Sequence, residues 1–396
     1  MTSPAAQPPI AATGGGAVDP YRMPAGALDD LLDGEPAFRT GQVRQWLRRG
    51  VTDPAAMTDL PLALRDRLAD TFPGTPTTLR HVTTDDGLTH KVLLGLGDGE
   101  AIESVLLCYP SNGRRQRGRA TACISTQAGC AMGCPFCATG QAGLRRQLRT
   151  DEVVAQVMAV TGLLRDHDLR PAGVPDHVTN VVFMGMGEPL ANLEVTVATV
   201  RWLIDRDGFD LSARGVTVST IGLVQGIRRL MALAVPITLA ISLHAPNDEL
   251  RDQLVPINQR HPLAELLAAC DAYAEATARR MTFEYVLIDG VNASVEHARE
   301  LVALLRPRRA HVNLIPMNPT PAVPWTAPPV ATQRRFADIC ERGGLTATIR
   351  HNRGSDIDAA CGQLYANYRL ASGRRLPVAE RELPLATARG LPERDP

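Results

Sequence analysis

From Thr121 onward the chain repeats one pattern that leaves little choice of fold. Short, β-branched, almost continuously apolar runs, "TACIS", "VTNVVFM", "GVTVST", "PITLAISL", "MTFEYVLI" and "HVNLIPM", alternate with loops and helical segments. Strands that are apolar on both faces belong in a parallel sheet covered on both sides, and parallel neighbours need a crossover of a dozen or more residues. Those crossovers read as helices: "TDEVVAQVMAVTGLL", with Thr150 as its expected N-cap and two acids in the first turn, and "SVEHARELVALL", capped by Ser294. Six βα units fall two short of a closed eight-fold barrel. The expected architecture is therefore an α/β fold, a partial, open, six-unit β/α barrel with a small N-terminal helical accessory domain.

The flanks are drawn from composition. Residues 1–20 are a Pro/Ala/Gly-rich tail, and residues 372–396 resemble it; both are expected to be disordered. Residues 21–78 show helical spacing of Leu, Phe, Val and Trp, with Arg39, Arg44, Arg48 and Arg49 close together as a solvated face or a phosphate-contacting patch. Residues 79–119 read as a β-hairpin connection, "LTHKVLLGL" and "EAIESVLL" around "GDG", and residues 120–371 as the barrel with a C-terminal loop. No apolar run reaches the length of a membrane span and the N-terminus lacks the pattern of a signal peptide, so a cytoplasmic protein is expected. Forty-two basic residues balance forty-two acidic ones, and Lys91 is the only lysine. A zero balance denies the chain a global basic footprint, so any RNA contact must come from local patches.

Four of the eight cysteines crowd into residues 123–137. In a reducing compartment such crowding argues for metal or thiol chemistry rather than structural disulfides. Cys130, Cys134 and Cys137 form CxxxCxxC on the loop expected to leave the first barrel strand. Three thiolates so spaced can hold three irons of a [4Fe-4S] cluster and leave the fourth open to the amino and carboxylate groups of S-adenosylmethionine (SAM). This resembles the radical SAM superfamily; a zinc site with Cys123 as fourth ligand is the alternative. Further polar motifs follow later strands, hence one rim: "GMGEP" with Gly187 and Glu188, "VSTIG" with Ser219, "SLHAPND" with Ser242, Leu243 and His244, and "PMNPT" with Asn318. Cys361, in "RGSDIDAACGQL" beyond the last strand "TATIR", is a candidate nucleophile. Cys123 points into or beside the same pocket, whereas Cys270 and Cys340 lie on apolar helix faces as core residues.

Taken together, "CISTQAGCAMGCPFCATG", "GMGEPL", "ISLHAPND", "NLIPMNP" and "DIDAACGQL" resemble the RlmN/Cfr family of radical SAM RNA methyltransferases, over roughly residues 35–367. The resemblance implies two uses of SAM. One methylates Cys361 by displacement; a second, cleaved at the cluster, yields a radical that takes hydrogen from that methyl group, and the carbon radical adds to adenine. Cys123 then attacks the sulfur of Cys361 and releases product, leaving a disulfide to be reduced, while Glu103 in "AIESVLL" removes the proton from the ring carbon. Gly187, Glu188, Ser219, Ser242 to His244 and Asn318 are implied to bind SAM. Implied partners are 23S rRNA, tRNA and a low-potential electron donor of flavodoxin or ferredoxin type. Implied products are 2-methyladenosine in the peptidyl transferase centre and at the position 3′ of the anticodon, with the family's carbon-8 chemistry as the alternative. The insertion "CYPSNGRRQRGRA", with its basic run Arg114, Arg115, Arg117 and Arg119, falls outside the resemblance.

Overall fold

The computed structural model describes Tyr21, Leu28 and residues 31–364, apart from residues 50, 52, 73–75, 114–116, 236 and 351–352. The two expected tails, 1–20 and 372–396, lie outside the described residues, as do Arg114 and Arg115. The strands are Thr77–Thr83 (β1), Thr89–Gly95 (β2), Ala101–Tyr109 (β3), Arg119–Cys123 (β4), Gln127–Gly129 (β5), Leu144–Gln147 (β6), Asn180–Phe183 (β7), Val216–Thr220 (β8), Thr238–Ser242 (β9), Met281–Leu287 (β10), Ala310–Pro316 (β11) and Thr346–Ile349 (β12). Among the described residues, ten of them form one sheet in the order β1-β2-β3-β4-β7-β8-β9-β10-β11-β12, and β5 and β6 form a separate antiparallel pair.

Pairing is antiparallel from β1 to β4 and parallel from β4 to β12. Every parallel strand lies beside the one before it in sequence, so each crossover winds the same way and the sheet curls into a partial barrel. All C-terminal strand ends then share one rim. Within residues 79–119 the expected hairpin is present, β2 pairing antiparallel with β3 from Thr89↔Leu107 to Gly95↔Ala101, and β3 also pairs with β4 from Val105↔Cys123 to Tyr109↔Arg119, which joins the hairpin to the barrel sheet. Pairing with β4 satisfies backbone groups that an isolated hairpin would leave exposed on its edge.

Helices Phe38–Arg48 (α1) and Leu62–Ala69 (α2) precede the sheet, and Ala138–Ala142 (α3) follows the cysteines. The crossovers carry Thr150–Arg165 (α4), Leu193–Ile204 (α5), Val224–Ala232 (α6), Asp248–Leu254 (α7), Leu263–Thr277 (α8), Val295–Leu305 (α9) and Val330–Arg342 (α10). Arg149, not Thr150, is the N-cap of α4: the Glu152 carboxylate accepts the Arg149 N–H at 2.9 Å and a bidentate pair from Arg146 at 2.7 and 2.8 Å. A carboxylate in the first turn meets the positive end of the helix dipole and does the capping that the hydroxyl was expected to do. Ser294 caps α9 as expected, accepting from the His297 N–H at 3.1 Å.

Two of the four arginines of this segment reach across to the rest of the molecule, while Arg49 is exposed. Arg44 and Arg48 meet Asp207 at 3.6 and 3.8 Å, and Arg48 also donates to the carbonyl of Arg206. Arg39 bonds Gln42 and Arg49 lies over the Trp46 ring at 5.4 Å. With Val43, Leu47, Leu64 and Leu68 buried behind them, these residues dock the helical segment on the loop after α5. Cys270 and Cys340 are fully buried core residues, and so is Cys108 on β3.

Candidate functional site

The cysteine loop does not leave β4 directly. The β5–β6 pair stands between, and it closes the neck of the loop. Gly129 has φ +80°, and a Cβ there would fall 2.0 Å from the Gly143 carbonyl oxygen, the same atom that accepts the Cys130 N–H at 3.0 Å. Only glycine permits that approach. Cys137 closes the other end, donating its N–H to Cys134 O at 3.1 Å as α3 begins. Burial, aided by Cys137, pushes the Cys130 thiol up to about 12 and Cys134 well above the usual thiol range. Thiols so reluctant to ionise become ligands when a metal centre supplies the compensating charge.

The donor set suits a cluster better than one ion. Among the described residues no three His, Cys, Asp or Glu side chains converge as ligands of a single metal ion. Cubane ligands sit on separate irons, so they do not need to converge. Cys123, the fourth ligand required by the zinc alternative, does not line the cavity that Cys130, Cys134 and Cys137 share. The three cysteines therefore fit a [4Fe-4S] cluster.

That cavity is lined by the three thiols, Gly187, Glu188, Ser219, Ser242, His244, Asn318 and Cys361. Motifs scattered over more than two hundred residues meet because each follows a strand ending on the same rim. Gly187 has φ +98°, and a Cβ would lie 2.5 Å from Gln127 Cβ. Ser219 and Ser242, at neighbouring strand ends, stand 3.3 Å apart through their hydroxyls. Leu243 differs from its neighbours: its side chain is fully buried in the core, its N–H donates to Glu284 O and its carbonyl accepts from Arg251. It spaces Ser242 and His244 rather than lining the cavity.

Glu188 is buried and already accepts three hydrogen bonds: from Leu190 N–H at 2.9 Å, Thr220 Oγ1 at 2.8 Å and Ile221 N–H at 2.8 Å. Burial nevertheless outweighs these and raises its pKa to about 7. Of about four lone-pair positions on a carboxylate, three are used, so about one remains for a cation. His244, at φ +62°, is held by the Val286 N–H, which donates to Nδ1 at 3.1 Å, and by edge contact with Phe136 at 4.7 Å. Burial drops its pKa to about 3, so the ring is neutral, with the proton on Nε2.

Cys361 lies at the junction of this cavity with a second one, whose wall includes Cys123. Its carbonyl accepts from Asn318 Nδ2 at 3.0 Å, and the next carbonyl, Gly362 O, accepts from Ala138 N–H at 2.8 Å. Cys361 is exposed to the cavity space, yet the protein packed around the thiol raises its pKa, and the Arg350 guanidinium opposes the rise. Cys123 is pushed up to about 12 by burial and by the nearness of Cys361. Both are free thiols. Glu103 lines neither cavity; it is buried on the β3 face that also carries Val105 and Tyr109, with Lys91 Nζ at 3.3 Å.

Sequence reasoning missed four residues that organise this site. Lys91, the lone lysine, bridges Glu103 to the Asp358 carbonyl of the Cys361 loop at 3.2 Å. Glu284, a buried carboxylate in an apolar strand, lines the first cavity beside Arg350 at 3.7 Å. A charge inside "MTFEYVLI" was the available signal. Arg251 is fully buried and donates to Leu243 O, Asn258 Oδ1, Ile221 O and Ser242 O. Nothing in "DELRDQL" on an amphipathic helix marks it.

Comparison with known proteins agrees with this geometry. Residues 124–302 match the Radical SAM superfamily model, and residues 29–72 match the ribosomal RNA large subunit methyltransferase N-terminal domain. The chain is 51% identical over 339 residues to the "Probable dual-specificity RNA methyltransferase RlmN" of Frankia alni, covering 84% of this chain and 79% of that one. It is 50% identical to the protein of the same name from Salinispora tropica, covering 84% and 88%. A crystal structure of a radical SAM methyltransferase from Sphaerobacter thermophilus superposes with a TM-score of 0.80 at 48% identity, covering 87% of this chain and 98% of that one.

Proposed function

Because the chain belongs to the RlmN family of radical SAM RNA methyltransferases, enzymes that use a [4Fe-4S] cluster and SAM, we propose that it methylates carbon 2 of adenosine in 23S rRNA and in tRNA. The observation that carries this reading is Cys361, a thiol at the junction of two cavities, one bearing the three cluster cysteines and the other bearing Cys123.

Cys130, Cys134 and Cys137 would hold the cluster, which supplies the electron that makes SAM a radical source. The chain's own groups do the rest. Glu188 takes the ammonium of SAM on its remaining lone pair, while Gly187, Ser219, Ser242, neutral His244 and Asn318 shape the cavity around it. Asn318 also fixes the backbone of Cys361, so cofactor and methyl carrier share one anchor. Arg350 favours the Cys361 thiolate that must accept the first methyl group. Cys123 resolves the adduct from the second cavity, and Glu103, paired with Lys91 on the β3 face whose Val105 and Tyr109 wall that cavity, receives the ring proton from its edge. A low-potential flavodoxin or ferredoxin type donor and a cytoplasmic setting complete the proposal; no helix among the described residues is long and apolar enough to cross a membrane.

The role of Glu188 has a pH signature. With its pKa raised to about 7, the empty site is protonated below that pH and must lose a proton before it binds a cation. SAM affinity is expected to fall by up to ~10-fold per pH unit below 7 and to level off above it. Calorimetric titration between pH 6 and 8.5 checks this, and Glu188→Gln should bind weakly with no such slope. A wild-type affinity flat across that range would remove Glu188 from the ammonium.

The function itself is tested by nucleoside mass spectrometry of 23S rRNA fragments and tRNA after anaerobic incubation with reconstituted enzyme, reductant and methyl-labelled SAM. Labelled 2-methyladenosine in both RNAs is expected. Labelled 8-methyladenosine would move the chain to the carbon-8 chemistry, and cleavage of SAM without labelled adenosine would overturn the proposal.

A further inference from the structure

Of the two cavities that meet at Cys361, only the first has carboxylates among its described lining residues. Cys361 and Arg350 stand in both walls; the first cavity adds Cys130, Cys134, Cys137, Glu188 and Glu284, whereas the second adds Cys123, Tyr109, Arg119 and Arg353. Arg350 is already turned toward Glu284 at 3.7 Å. Arg119 and Arg353 instead lie over one ring, at 4.1 and 4.6 Å from the Tyr109 centroid, and Arg353 also donates to Cys108 O at 3.0 Å.

Stacking uses the face of a guanidinium and leaves its edge N–H donors directed sideways. Edge donors in a planar fork match the oxygens of a phosphate. Arg119 is the exposed first residue of β4, so the stack sits where the cavity opens to solvent.

We propose that Arg119 and Arg353, spread on Tyr109, clamp a backbone phosphate of the RNA strand whose adenosine enters the second cavity toward Cys361. The inference rests on the RNA methyltransferase reading and specifies how the strand is held.

The test measures binding of a tRNA anticodon stem-loop and a 23S rRNA fragment to the cluster-reconstituted full chain, without SAM, across a range of salt. Arg119→Met is expected to weaken binding by ~5–10-fold and to reduce the log–log salt slope by ~0.7, the value for one single-strand phosphate contact. Arg119→Lys should restore part of both, and the same charge removed from the α10 surface by Arg334→Met should change neither. An unchanged slope in Arg119→Met, or an equal loss in Arg334→Met, would overturn the clamp. Full displacement of RNA by millimolar inorganic phosphate, matched by loss of that effect in Arg119→Met, would assign the group to a free anion and overturn it too. If RNA binds as expected while labelled SAM transfers no methyl group to Cys361 or to RNA, the functional reading fails and the clamp stands.

Discussion

Cys361→Ala is expected to lower RNA methylation by more than ~1000-fold, because no other thiol can reach both cavities and carry a methyl group between them. Cys123→Ala should fail differently. The methyl carbon would still be transferred, but nothing would attack the Cys361 sulfur, so RNA would remain covalently attached to the protein. A band of protein plus RNA on a denaturing gel, sensitive to ribonuclease and absent in the Cys361→Ala, Cys123→Ala double variant, checks this. Cys270→Ala and Cys340→Ala, both in the core, should keep the wild-type turnover. Equal, complete inactivity of Cys123→Ala with no adduct would deny it the resolving role.

Arg251→Met is expected to cost at least about 1–3 kcal/mol of stability, the penalty for leaving even one buried acceptor without its donor. The guanidinium satisfies carbonyls at the ends of two adjacent strands, Ile221 O after β8 and Ser242 O on β9, and Leu243 O beyond it. Methionine would fill similar volume and leave those acceptors buried without donors. Burial lowers the Arg251 pKa to about 10, so the group stays charged at neutral pH and makes its hydrogen bonds as a cation. The urea midpoint should fall with little change in m, and SAM binding should fall in the fraction that remains folded, since Ser219 and Ser242 sit on the same strand ends. A loss below ~1 kcal/mol would show the network is dispensable.

These two expectations come from different levels of the molecule. The cysteines were legible because their chemistry is carried by residue type and spacing: CxxxCxxC, and a cysteine in a Gly- and Asp-containing loop. The rim motifs were legible for a related reason, since each follows an apolar strand and parallel strands end on one side. Glu103 was legible only through the family resemblance; its environment, a buried pair with Lys91, depends on the diagonal approach of β2 and β3. The antiparallel extension was half visible, as a hairpin, because local alternation reveals strands and turns but not which edge they join.

The sequence alone determined the class of fold and the inventory of reactive groups, because periodicity, backbone preference and ligand spacing are local properties written in neighbouring residues. Only the tertiary structure decided that two cavities exist, one with carboxylates in its described lining and one without, and that Cys361 stands between them. It also decided that Arg350 and Glu284, about sixty-six positions apart, face each other, and that Arg251 ties strand ends which nothing in its helix announces. Such choices follow from how far the sheet curls and where each crossover returns. They are sums of many weak, long-range packing terms that no short stretch of chain contains.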